Sequence, residues 1–132
     1  MLTPTPSTIY LKDYQAPAFL VDRVDLVVDI RDDHTIVSAT LAILRNPARL
    51  EREAALELNG EELELLSVAI DGAPLDNTRY SLDKTGLTIP GMPAQCLVQT
   101  VARIRPKDNT QLMGWYASKD GYFTQCEAEG FR

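Results

Sequence analysis

The sequence is poor in the residues that most catalytic and metal sites require. It contains one histidine and two cysteines in 132 residues. A single histidine can form neither a catalytic dyad nor a two-ligand metal site, and no Ser/His/Asp arrangement is evident around His34. His34 also lies among turn residues. We therefore expect a solvated turn histidine, with no catalytic residue and no metal ligand in this chain.

The two cysteines also fail to form a recognisable site. Neither Cys96 nor Cys126 has a histidine or a second cysteine at metal-ligand spacing. They could pair in an oxidising compartment, but the N-terminus lacks the basic and apolar regions of an export signal. We therefore expect two buried thiols and a cytoplasmic location.

The sequence also lacks a basic stripe and a long apolar run. Its formal net charge is -6, which argues against binding to nucleic acid because phosphate binding requires a positive surface. No apolar run approaches the roughly 20 residues that span a bilayer. We expect neither nucleic acid nor membrane as a partner.

Apolar residues recur with a period of two in the first half of the chain. In 20–30 they are Val24, Leu26, Val28 and Ile30, and the alternate positions are charged except for Val27. This pattern predicts a half-buried strand. Turn residues 31–34 and a β-branched run in 35–44 extend the prediction to a long antiparallel hairpin.

Short strands separated by turn signals fill the remainder. Asp71-Gly72 is a strong signal for a two-residue hairpin turn. The other predicted strands are 80–82, 87–89, 96–104, 112–117 and 122–126. Region 48–66 is ambiguous, because strong helix formers precede the turn pair Asn59-Gly60. The pattern predicts an all-β antiparallel sandwich in 9–132 after a flexible leader in 1–8.

Polar acceptors are concentrated near the end of the chain. Gln125 and Glu127 are two residues apart, so on a strand their side chains would share one face. A carboxylate beside an amide carbonyl suits an ammonium group. The alternative is an ordinary exposed pair on an edge strand. Glu129 and Arg132 are expected to form a structural ion pair or to contact another domain.

Several segments resemble the N-terminal domain of bacterial aminopeptidase N, a zinc metallopeptidase family. They are I-Y-L-K-D-Y in 9–14, F-L-V-D-R-V-D-L-V-V-D-I in 19–30, S-V-A-I-D-G in 67–72, N-T-Q-L-M-G-W-Y-A-S in 109–118 and T-Q-C-E-A-E-G-F-R in 124–132. The similarity covers nearly the whole chain after the leader. It implies a saddle-like β-sandwich with strands, not a helix, around 55–58 and 63–70.

The resemblance also implies a function for the parent protein. Members of the family remove N-terminal amino acids from peptides, and the residues that match Gln125 and Glu127 hold the substrate's α-amino group. This chain would then be a fragment that caps a catalytic domain absent from it. That domain would bind the zinc through H-E-x-x-H and a downstream glutamate, so the fragment itself would be inactive.

Two positions depart from the family pattern. Met113 replaces the usual glutamate before the glycine of the N-T-x-L-x-G segment, and Trp115 replaces a common leucine. Two alternatives to the peptidase interpretation remain. One is a stand-alone β-sandwich module that binds a protein partner and has no catalytic role, and the other is a family member that has lost its zinc ligands.

Overall fold

The computed structural model describes residues 7–127. The expected ion pair of Glu129 and Arg132, and most of the expected leader, lie outside this range. The strands are β1 (Phe19–Ile30), β2 (Thr35–Arg45), β3 (Leu56–Asn59), β4 (Leu63–Ile70), β5 (Ala73–Pro74), β6 (Ser81–Leu82), β7 (Gly86–Ile89), β8 (Gln95–Ile104), β9 (Gly114–Ser118) and β10 (Gly121–Gln125). Short 3-10 helices lie at Leu11–Asp13 and Pro106–Asp108.

The strands form three antiparallel sheets. The large sheet has the order β1-β2-β8-β4-β5, a three-stranded sheet has the order β3-β7-β6, and β9 pairs with β10. All the pairings are antiparallel. The predicted all-β sandwich is therefore confirmed, and the β9–β10 hairpin forms a small sheet of its own.

The core lies between the large sheet and the three-stranded sheet. Its buried residues are Phe19, Ile43, Leu56, Val68, Leu87, Ile89, Met92, Cys96 and Val98. Arg45 links this core to the loops beside it, since its guanidinium donates to the carbonyl oxygens of Ala54 at 2.9 Å and Met92 at 2.8 Å. The same group lies 4.8 Å from the ring centroid of Phe19. One side chain therefore connects three separate segments.

The predicted turns and strands agree closely with the structure. Asp71 and Gly72 have φ of 49° and 80°, so both central residues of the β4–β5 turn are left-handed, as this tight turn requires. The Asp71 carboxylate also accepts a hydrogen bond of 2.8 Å from the Leu97 N–H. In the ambiguous region, Leu56–Asn59 is a strand and no helix occurs within 48–66.

The expectation that β1 is half-buried was wrong. Phe19 is its only buried residue, and the other eleven are exposed. The alternation itself is present, because the register places Val24, Leu26, Val28 and Ile30 on the same face of the sheet as the core residue Ile43. β1 is an edge strand, however, and the three-stranded sheet does not extend over it. Its apolar face therefore stays open to solvent.

Candidate functional site

The β9–β10 hairpin holds the predicted site residues. Its strands pair from Gly121 opposite Ser118 to Gln125 opposite Gly114. The two-residue loop between them contains Lys119, whose φ is 52°. This hairpin was predicted, and its open end carries the Gln-x-Glu segment.

Asn109 fixes the entry to β9. Its side-chain amide donates to the carbonyl oxygens of Met113 and Trp115, each at 2.8 Å. These two carbonyls flank Gly114, the residue that pairs with Gln125. Asn109 therefore positions the backbone against which the site is built. The sequence interpretation missed this role, although an asparagine at the start of a loop is a common backbone partner.

Gln125 and Glu127 do not share one strand face as predicted. Gln125 is the last residue of β10, whereas Glu127 lies in a turn beyond the strand. Alternation along a strand therefore does not relate the two side chains. Both residues are exposed, so each is accessible to a ligand.

The side chain of Gln125 bends back onto its own backbone. Its Oε1 accepts hydrogen bonds from the N–H groups of Cys126 at 3.1 Å and Glu127 at 3.4 Å. These bonds stabilise the turn that carries Glu127. The turn places the Glu127 carboxylate beside the Gln125 amide. When it is ionised, the carboxylate can only accept hydrogen bonds, whereas the amide can both accept and donate them.

Aromatic side chains cover both faces of the hairpin. Trp115 and Tyr122 pack edge to face with ring centroids 5.9 Å apart. On the opposite face, Tyr116 and Phe123 stack at 5.8 Å. The indole nitrogen of Trp115 is buried and has no hydrogen-bond partner within residues 7–127. The aromatic packing therefore stabilises the hairpin that carries Gln125.

Among the residues that the structure describes, His34 does not lie in a cluster with the cysteines that could form a site. The His34 side chain is only 19% exposed and its Nδ1 lies 2.5 Å from the Asp33 carboxylate, so the expected solvated histidine is instead mostly buried. This hydrogen bond lowers the pKa of Asp33.

The two cysteines differ in their surroundings. Burial, with a smaller contribution from Asp71, raises the pKa of the Cys96 thiol. Cys126 is exposed because it follows the end of β10, so the expectation of two buried thiols was wrong.

Residues 7–127 contain no cluster of three histidine, cysteine or acidic side chains that could hold a metal ion. In the same range, no helix is long and apolar enough to cross a membrane. The side chains of residues 7–127 therefore provide no ligand set for a zinc ion.

Comparison with known proteins shows that the chain is similar to curated aminopeptidases N. The chain is 42% identical over its whole length to aminopeptidase N of Caulobacter vibrioides and 37% identical over 99% of its length to aminopeptidase N of Escherichia coli. It spans 15% and 14% of these relatives, respectively. No family model matches the chain.

Solved structures give the same result. Aminopeptidase A of Legionella pneumophila, solved in complex with aspartic acid, superposes with a TM-score of 0.82 at 26% identity, over 91% of this chain and 14% of that one. Yeast LTA4 hydrolase superposes with a TM-score of 0.58 at 18% identity, over 74% of this chain and 16% of that one, and shares the fold. The chain matches the N-terminal domain of the aminopeptidase N family.

Proposed function

We propose that this chain is the substrate-anchoring N-terminal part of a zinc aminopeptidase that removes N-terminal amino acids from peptides. The observation that carries the proposal is the exposed turn after β10, where Glu127 lies two residues after Gln125, the last residue of a hairpin whose other strand is fixed by Asn109. The match to aminopeptidases N supports the peptidase assignment.

In this proposal Glu127 and Gln125 bind the free α-amino group of the substrate. The ionised carboxylate neutralises the ammonium charge, and charge-assisted hydrogen bonds of this kind are short and strong. Gln125 contributes its amide oxygen as a second acceptor when its side chain rotates away from the local backbone. An anchor at a fixed distance from the reacting centre admits only the first peptide bond, which is the defining property of an exopeptidase.

The remaining chemistry lies outside residues 7–127. Zinc, when bound by the longer protein, supplies Lewis-acid activation of water. The domain described here caps that centre through contacts within one polypeptide. We propose a cytoplasmic location, with peptides as substrates.

The decisive test uses the complete gene product. Its reading frame is expected to continue beyond Arg132 into H-E-x-x-H, and the protein should hydrolyse an aminoacyl-arylamide in a chelator-sensitive manner. Glu127→Ala should lower kcat/KM by about 10- to 100-fold, the effect of losing a hydrogen bond to a charged group. Zinc content, measured by elemental analysis, should stay unchanged.

Asp120→Ala provides the matched control. Asp120 is an exposed acid in the loop at the opposite end of the same hairpin, so its loss should leave kcat/KM unaltered. A substrate with an acylated amino group should be cleaved poorly by the wild-type protein. Equal activity of Glu127→Ala and wild type would refute the anchoring role. An inert gene product would instead favour the stand-alone interaction module.

A further inference from the structure

One face of the β9–β10 hairpin joins the proposed anchor to a pair of aromatic rings. Gln125 lies two residues after Phe123 on β10, and Phe123 pairs with Tyr116 on β9. Side chains two residues apart on a strand lie on the same side of a sheet, as do those of directly paired residues. The side chains of Gln125, Phe123 and Tyr116 therefore lie on one face of the hairpin, which we call the anchor face.

The two rings of the anchor face form one apolar surface. They stack with centroids 5.8 Å apart and an angle of 24° between their planes. Phe123 is 50% exposed, so half of its surface is accessible to a ligand. Its ring leans toward Gly121, where an added Cβ would lie 3.2 Å from the ring atom Cε2. The ring therefore does not cover the part of the strand that leads to Gln125.

The position of the rings matches the position of the first side chain of a bound peptide. That side chain is attached to the carbon next to the α-amino nitrogen, which the proposed anchor holds. Two residues along a strand span about 6.6 Å, a distance that a leucine or phenylalanine side chain can bridge to contact the Phe123 ring. None of residues 114–118 and 121–125 is charged. The anchor face is thus suited to an apolar side chain.

We propose that Phe123, supported by the stacked ring of Tyr116, is a specificity-determining residue that favours peptides with an apolar first side chain. The inference rests on the proposed function, because it takes the α-amino group to be bound at Gln125 and Glu127. Contact with the rings removes apolar area of the substrate from water, and this gain grows with the size of the side chain. A peptide that begins with glycine gains nothing from the rings and depends on the anchor alone.

The test compares two substrates on the complete gene product. The measured quantity is kcat/KM for a phenylalanyl-arylamide divided by kcat/KM for a glycyl-arylamide. This ratio does not depend on the folded fraction, because both substrates are assayed on the same preparation. Phe123→Ala should lower the ratio by about tenfold, at the lower end of the discrimination that apolar contacts give in enzymes. Phe123→Leu should retain most of the ratio, since leucine keeps an apolar contact.

Tyr122→Ala provides the matched control. Tyr122 is the neighbouring aromatic residue on β10, is 40% exposed and packs against Trp115 on the opposite face. Its loss should leave the ratio unaltered. Phe123→Asp should reverse the preference and raise kcat/KM for a lysyl-arylamide relative to the glycyl substrate, because a carboxylate on the anchor face attracts the lysine ammonium group.

An unchanged ratio in Phe123→Ala would overturn the proposal, and so would an equal fall in Tyr122→Ala. A fall for the lysyl substrate as large as that for the phenylalanyl substrate would also overturn it, because the rings would then select cations.

Glu127→Ala separates this proposal from the proposed function. It should lower kcat/KM for both substrates by the same factor, since both carry the α-amino group. If it does so while Phe123→Ala leaves the ratio unchanged, only the specificity role is disproved. If Glu127→Ala leaves both substrates unaffected, the anchoring role itself is disproved.

Discussion

One face of the large sheet has two parts that differ in burial: a covered half around Ile43 and Val98, and an open half formed by Leu26, Val28 and Ile30 of β1. Ile43 and Val98 are 2% and 0% exposed, whereas Leu26 and Ile30 are about half exposed on the same face. The difference arises from the position of the three-stranded sheet, which packs over one half. Alternation along a strand therefore predicts which face of the large sheet is apolar. The position of the three-stranded sheet determines which part of that face is buried.

The largest expected difference between the halves is the cost of truncating an apolar side chain. Ile43→Ala should lower the free energy of unfolding by about 2 to 5 kcal/mol, because it leaves a cavity in a packed core. Leu26→Ala in the open half should change it by only about 0.5 kcal/mol, as at other surface positions. Urea denaturation of the 132-residue chain measures both values. Equal losses would show that the open half is already packed in this chain.

The second prediction concerns the guanidinium that joins the covered half to its loops. Arg45→Met keeps an apolar stem but leaves the carbonyls of Ala54 and Met92 without their charged donor. We expect a loss of about 1.5 to 3 kcal/mol in urea denaturation. Arg23→Met is the matched control, because Arg23 makes an exposed ion pair on β1 that contributes at most about 1 kcal/mol. A smaller effect at Arg45 than at Arg23 would contradict this assignment.

The smallest expected effect is a pH dependence in the three-stranded sheet. The Asp83 carboxylate accepts hydrogen bonds from the Thr85 N–H at 2.7 Å, the Thr85 hydroxyl at 2.8 Å and the Gly86 N–H at 3.0 Å. These bonds lower the pKa of Asp83 from its ordinary value of 3.8. The folded state therefore binds this proton less readily than the unfolded state, so the stabilisation is present above that value and is lost as the pH falls through the lowered pKa.

Asp83→Asn should consequently flatten the loss of stability in acid, measured as the urea midpoint at a series of pH values below 5. The turn should be slightly weaker at neutral pH, because the amide oxygen of asparagine is a poorer acceptor than a carboxylate. Parallel acid profiles for the variant and the wild type would show that this turn does not couple to folding.

Local signals predicted most of the strands and turns. Asp71-Gly72 specified its turn because few backbone conformations join two paired strands through two residues. The helix-forming residues before Leu56 gave a misleading local signal, and pairing of Leu56–Asn59 with β7 outweighed it. The exposure of β1 could not be predicted, because it depends on a layer formed by residues distant in sequence.

The geometry of the candidate site also depends on contacts that the sequence pattern does not show. The pattern identified Gln125 and Glu127 as neighbours, but the end of β10 at Gln125 places Glu127 in a turn. Strand ends depend on where the partner stops pairing, and here pairing stops at Gly114. The role of Asn109 was likewise hidden, because its two carbonyl partners are set by the fold of the loop. Whether Gln125 and Glu127 hold a substrate stays a prediction.

The position of β8 constrains the order in which the domain can assemble during synthesis. β8 pairs with both β2 and β4, although both precede it in the chain. The β1–β2 and β4–β5 hairpins are local and can form as soon as they leave the ribosome, but they have no strand to join them until β8 follows. Until then each hairpin exposes an unpaired edge and an apolar face. The strand at the centre of the large sheet is thus the last of its strands to be added, and unpaired edges expose the nascent chain to aggregation over that interval.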